Sequence, residues 1–252
     1  MGPIPYSYFV SIGAFARLEA RNIFRSHPFR LFVPTAGIVV LLAPSLVLFA
    51  FDGRRALVAQ VGISTASLFA VLLGLTAGAG ALAGDREAGI RDLILSRPIA
   101  TTSYVVGRWL GIAFAVLVAV GVLGGIHLGS LPFRGAPPMG YGPLVAALGL
   151  AVVAGSLAAA LALVFSARLR AGPAVLAGLL VILAGHAAML LGGGPVAEAA
   201  RFLLPRMGAL ELSSEAAFGP FLPSLWLIPL LHGTLYTAFL LTLAAPLAKG
   251  NS

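Results

Sequence analysis

The sequence predicts an all-α polytopic membrane protein with six transmembrane helices. An N-terminal membrane-surface amphipathic helix and a short cytoplasmic helix complete it. Three observations carry this. Mean hydropathy is +1.03. Of the 252 residues, 60% are hydrophobic and 10% charged, where a soluble domain carries about 25% charged residues. The apolar runs are also long, as crossing a hydrocarbon layer of about 30 Å takes about 20 helical residues. Alternating segments of about 10 residues, the mark of a membrane barrel, are missing. The chain reads as one transmembrane domain over 1–252.

Residues 7–27 predict the surface helix. Phe9, Ile12, Ala16, Ala20 and Ile23 share one face, and Arg17, Arg21 and Arg25 recur at i, i+4, i+8 on another. That stripe suits anionic lipid headgroups. Glu19 breaks the pattern by projecting onto the apolar face. It is either an edge residue paired with a nearby arginine or a polar contact to another helix. His27-Pro28 is expected to end the helix.

The spans follow at 31–51, 56–83, 104–130, 144–165, 172–194 and 224–247. Gly74, Gly78 and Gly80 in the second, and Gly121, Gly125 and Gly129 in the third, offer small surfaces for close helix packing. Thr101, Thr102 and Ser103 are candidate N-caps for the third span, and Arg108 and Trp109 are read at its interfacial end. No charge is expected deep within a span. Residues 195–223 form the longest external connection, carrying Glu198, Glu211 and Glu215.

Between the second and third spans lies Asp85-Arg86-Glu87-Ala88-Gly89-Ile90-Arg91-Asp92-Leu93-Ile94-Leu95-Ser96-Arg97-Pro98. Ile90, Leu93 and Ile94 follow helical spacing. Glu87 precedes Arg91 by four residues, the favourable order for a helical ion pair. Arg97 precedes a proline, which pushes it out of the α region and stops the helix. The expectation is one short amphipathic helix over 85–97, shaped to be touched by something soluble.

Six spans place both termini on one side. That side holds eleven basic residues and the other five. Positive-inside then makes the termini and the 85–97 helix cytoplasmic. The net charge of +8 is thus topology signal and implies no nucleic acid. No cleavable signal peptide is expected, since the first apolar run starts near Leu31 behind four arginines.

Several chemistries are excluded. With no cysteine there is no disulfide, thiolate metal site or thiol catalysis. The single lysine, Lys249, precedes Gly250, so the chain has no phosphate-binding loop. Asp52-Gly53 lacks the further aspartates of a two-metal site and reads as a turn. His186 and Met189 share a face that suits a soft metal, but an isolated span histidine more often hydrogen-bonds across helices. No metal site is expected. Gln60, Ser64, Thr65, Thr76, His127 and His186 are the candidate polar groups of a pathway.

Two segments resemble the permeases of ABC type-2 transporters. Asp85 to Pro98, followed by Tyr104 and Gly107-Arg108-Trp109-Leu110-Gly111, is similar to that family's cytoplasmic loop. Arg17-Leu18-Glu19-Ala20-Arg21 with Arg25-Ser26-His27-Pro28-Phe29 is similar to its membrane-surface helix. The Ser96-Arg97-Pro98 form is most like permeases of the nitrous-oxide-reductase maturation group. Ile90 and Arg108 stand where threonine and lysine are common.

The resemblance implies a bacterial inner-membrane permease subunit that is not itself an enzyme. Its 85–97 helix would be a coupling helix seated in an ATPase subunit, with Ile90, Leu93 and Ile94 supplying contact area. Arg86, Glu87, Arg91 and Asp92 would fix the register, and Asp85 and Arg97 would complete the coupling residues. Two copies of the ATPase would bind ATP and Mg, and this chain would hold no cofactor. A second permease copy or paralogue and membrane lipids complete the expected partners. Export of a substrate is the expected function. The alternative is a mechanical transmitter that drives a periplasmic protein docked at 195–223.

Overall fold

A computed structural model describes residues 7–46, 54–96, 99–131, 141–190, 194, 198, 204–205, 207–210 and 223–249. Eight α-helices and one short 3-10 turn lie within these. They are α1 (Ser7–Arg25), α2 (His27–Leu46), α3 (Arg54–Glu87), α4 (Ile90–Leu95), α5 (Thr101–Ser130), α6 (Tyr141–Ser166), α7 (Ala171–Leu190) and α8 (Pro223–Lys249), with the 3-10 turn at Met207–Leu210. Five helices are long and apolar enough to cross a membrane: α3, α5, α6, α7 and α8. The described apolar part of α2, His27–Leu42, is shorter than that threshold. The expected first span, 31–51, runs on into residues outside the described set.

The bundle is built around α3 and α6. Lipid supplies no hydrophobic force to press two apolar helices together, so close backbone approach must do it. Ala70, Gly74 and Gly78 on α3 meet Gly155 and Ala159 on α6. A Cβ at Gly74 would sit on the Gly155 carbonyl oxygen, and one at Gly78 would come within 2.5 Å of the Ala159 oxygen. Ser166 at the end of α6 donates to the Gly78 carbonyl at 3.2 Å.

The expected glycine faces are only partly used. Among the described residues, nothing lies within 4 Å of a Cβ built at Gly80, Gly121, Gly125 or Gly129. The four-residue spacing on α5 faces outward instead. Close contacts on α5 fall at Gly107 and Gly111, which abut α1, and at Gly124, which takes the Leu148 side chain.

Two helix starts differ from expectation. The break between α1 and α2 falls at Ser26, one residue before His27-Pro28. Ser26 Oγ accepts from the Phe29 amide at 3.4 Å, the N-cap arrangement, which leaves Pro28 in the first turn of α2, where its missing N–H costs little. The N-cap of α5 is Ala100, with no side-chain cap bond. Thr101, Thr102 and Ser103 are inside the first turn.

Candidate functional site

The expected single helix over 85–97 is two pieces. Asp85, Arg86 and Glu87 are the last residues of α3. Gly89 then takes a left-handed conformation, φ 70°, which a residue with a Cβ adopts only at a cost of roughly 1–2 kcal/mol. The six residues of α4 follow. Glu87 and Arg91 therefore lie on opposite sides of a turn, and Arg91 pairs with Asp92 at 3.1 Å. Arg97 lies outside the described residues, as does the Leu95 side chain.

The two pieces have different surroundings. Ile90 and Leu93 on α4 are 44% and 64% exposed, flanked by exposed Glu87 and Asp92. Ile94 turns the other way and packs against the hydrophobic core. Arg86 is committed internally. Its guanidinium donates to the carbonyls of Ser166, Ala167 and Leu169, at 3.4, 3.0 and 2.8 Å. These carbonyls at and just past the end of α6 have no partner further along that helix, and a cation there also meets the negative end of its dipole.

Asp85 is buried rather than exposed. It accepts from the Tyr104 hydroxyl and from Arg108. Arg108 also pairs with Glu19 of α1. The Arg108 guanidinium lies 5.6 Å from the Tyr104 ring centroid, and Phe15 of α1 meets that ring edge-on. Three helices thus converge on one guanidinium. α1 supplies Glu19, α3 supplies Asp85, and α5 supplies Arg108 and Tyr104. Gly107 and Gly111 let α1 lie close enough for this, since a Cβ at either would strike α1 backbone.

Arg108 is therefore not open to its surroundings, as its place near the start of the third span suggested; α1 covers it, leaving 4% exposure. The Trp109 indole turns into the bundle and donates to the Ser156 carbonyl at 2.9 Å. Of the two readings of Glu19, the interhelical contact holds. Burial pushes its carboxyl above the ordinary value of 4.5, against the opposing pull of Arg108.

Beside this cluster is a cavity of about 320 Å³ between α1, α2, α3 and α5, lined in part by Glu19, Asn22, Thr76, Asp85 and Arg108. Thr76 is the only candidate pathway residue that lines it; its hydroxyl donates to the Leu72 carbonyl of its own helix at 2.8 Å. The other candidates are not brought to one wall. Thr65 is buried, while Gln60 and Ser64 are half-buried higher on α3. The His127 ring packs against Gly62. His186 Nδ1 sits 3.0 Å from the Ile182 carbonyl of its own helix. Among the described residues, no three His, Asp or Glu side chains stand close enough to hold a metal ion.

Arg17, Arg21 and Arg25 remain on the outer side of α1, all exposed. The sequence did not reveal that Tyr104 and Arg108 meet Glu19 and Asp85. Part of the signal lies in the sequence: Glu19 projects onto an apolar face, and Arg108 stands inside an otherwise uncharged run.

Residues 10–212 match the family described as ABC-2 family transporter protein. The chain belongs to that family. It is a multi-pass membrane permease of the ABC-2 type. A search of the curated proteins finds no match. In the permease, the matched region takes in α1 to the 3-10 turn, so the charged cluster and α4 both lie within it.

Proposed function

We propose that this permease subunit couples ATP hydrolysis in a separate ATPase subunit to export of a substrate across the cytoplasmic membrane, with α4 as the element that docks the ATPase. The observation that carries this is the exposed pair Ile90 and Leu93 on α4, rimmed by Glu87 and Asp92. Leucine and isoleucine beside charges of both signs match a contact in which apolar area gives affinity and charge fixes register. Arg91 is the cationic member, on the less exposed side of the helix.

Behind that surface the connections are stiff. Arg86 ties the end of α3 to α6, and Asp85 ties it to α5 and, through Arg108, to α1. A push on α4 is thus delivered to four helices at once. Asp85 and Arg86 act as anchors in this reading, and Glu87, Ile90, Asp92 and Leu93 as contacts. Two ATPases and a second permease copy would complete the transporter. α2, continued through the residues beyond Leu46, would be the sixth span, with both termini cytoplasmic as the arginine distribution favours. The Ser96-Arg97-Pro98 sequence favours the nitrous-oxide-reductase maturation group.

The test is co-purification in detergent with the ATPase encoded beside it. Wild type is compared with Glu87→Arg plus Asp92→Arg, and with Ile90→Ser plus Leu93→Ser. Retention by wild type and loss from both variants is expected. If no ATPase accompanies wild type, the coupling role falls. If both variants retain it as wild type does, docking is not on α4.

A further inference from the structure

A second depression lies on the outer side of α1, against the flank of α5, with a volume of about 600 Å³. Its floor is apolar, formed by Ala20, Phe24, Leu110 and Phe114. Leu110 and Phe114 are 38% and 52% exposed, and Phe24 meets Phe114 edge-on at 6.2 Å. Along its rim stand Arg17, Arg21 and Arg25. At 1.5 Å rise per residue, the first and last are about 12 Å apart along the helix.

The charge on this side is unbalanced. The only acid of α1, Glu19, is turned to the opposite side and spent on Arg108. Among the described residues, none of the three arginines is in an ion pair. Water alone would suit the guanidiniums but not the open Leu110–Phe114 floor, which belongs to a helix apolar enough to span the membrane. The ligand that satisfies both is amphiphilic and anionic.

We propose that this groove binds an anionic phospholipid carrying two phosphates. Its acyl chains lie along Leu110 and Phe114, and its phosphates are spread over Arg17, Arg21 and Arg25. A single phosphate would reach one end of a row about 12 Å long; two phosphates linked through glycerol can engage both. Basic pockets beside spanning helices are suited to such headgroups. The bound lipid would hold α1 against α5 from outside, as Glu19 and Arg108 hold it from inside. None of this depends on the coupling role of α4.

The test is native mass spectrometry of the detergent-purified permease titrated with cardiolipin, phosphatidylglycerol or phosphatidylcholine. Cardiolipin is expected to be retained best and phosphatidylcholine least. Arg17→Gln, Arg21→Gln and Arg25→Gln should each weaken cardiolipin retention about fivefold. Arg168→Gln with Arg170→Gln, on the exposed turn after α6, should leave it unchanged. Phe114→Ser, which keeps every charge, should also weaken it. Equal retention of cardiolipin and phosphatidylcholine overturns the proposal, and phosphatidylglycerol held as strongly as cardiolipin overturns the two-phosphate assignment. Equal weakening in the Arg168 and Arg170 variant would mean general surface charge. Undiminished retention by Phe114→Ser would mean that no groove is used. Should any one of these variants fail to fold, the remaining single variants and Phe114→Ser still decide.

Discussion

Glu19 and Arg108, 89 residues apart in the chain, form a buried ion pair that pins α1 to α5. Arg108 is shared, since Asp85 occupies its other terminal nitrogen. Removing the shared cation leaves two buried carboxylates without compensation. Arg108→Ala is expected to cost about 3–5 kcal/mol, read as a lowered thermal unfolding midpoint in detergent. Arg108→Lys should recover only part of it, because one ammonium lacks the planar fork that meets two carboxylates. A Lys variant as stable as wild type would show that the two-sided geometry is unimportant.

The pH dependence follows from Glu19. Its carboxyl titrates above 4.5 in the folded chain because burial outweighs the attraction of Arg108. The folded state therefore holds that proton more tightly than the unfolded state does. The resulting stabilisation is full below about pH 4.5 and is lost as pH rises through the raised value. Thermal unfolding of wild type should show this decline, and Glu19→Gln should flatten it. A slope unchanged by Glu19→Gln would place its origin elsewhere.

Glycines on α3 should differ sharply in tolerance. Gly74→Ala puts a methyl on the Gly155 carbonyl, and overpacking of this kind typically costs about 1–3 kcal/mol. Gly80→Ala meets nothing within 4 Å and gains up to about 1 kcal/mol of helix propensity. Yield and unfolding midpoint of the two variants should separate in that order.

Gly89→Ala tests whether the angle between α3 and α4 matters apart from the docking surface. The strain at φ 70° would favour a reoriented α4 while leaving Ile90, Asp92 and Leu93 in place. ATPase should still co-purify, with ATP turnover less responsive to the permease. Normal coupling in reconstituted vesicles would show that the left-handed turn is dispensable.

Much of the architecture is legible in the sequence because uncharged length is a strong signal. The same is true of α1, whose Arg17, Arg21 and Arg25 stripe fixes its outer side, and whose Glu19 announces an inward polar contact. Periodicity misled at three places. Ile90, Leu93 and Ile94 share helical spacing with the preceding charges, so the left-handed break at Gly89 is hidden; a glycine allows such a turn without requiring it. Gly121, Gly125 and Gly129 repeat as a packing face does, yet no helix among the described residues covers them, because spacing says which residues share a side and not which side has a neighbour. Asp85 and Arg108 look like surface charges near helix ends, and only the passage of α1 over them makes them interior. That passage depends on Gly107 and Gly111, whose meaning appears once the partner helix is in place.

The contact of Arg86 with the carbonyls beyond Leu163 bears on how force would travel. It clamps α3 to α6 at the end where α4 is attached, while Gly74 and Gly155 lock the same two helices further along. Fastened at two levels, they cannot slide past one another and must tilt as a single beam. With 34 residues in α3, that beam is about 50 Å long, well beyond the hydrocarbon thickness. Pivoted at one end, a tilt of ~10° displaces the other by ~9 Å. A small rotation at the end that carries α4 thus becomes a displacement as wide as a helix at the far end of the beam.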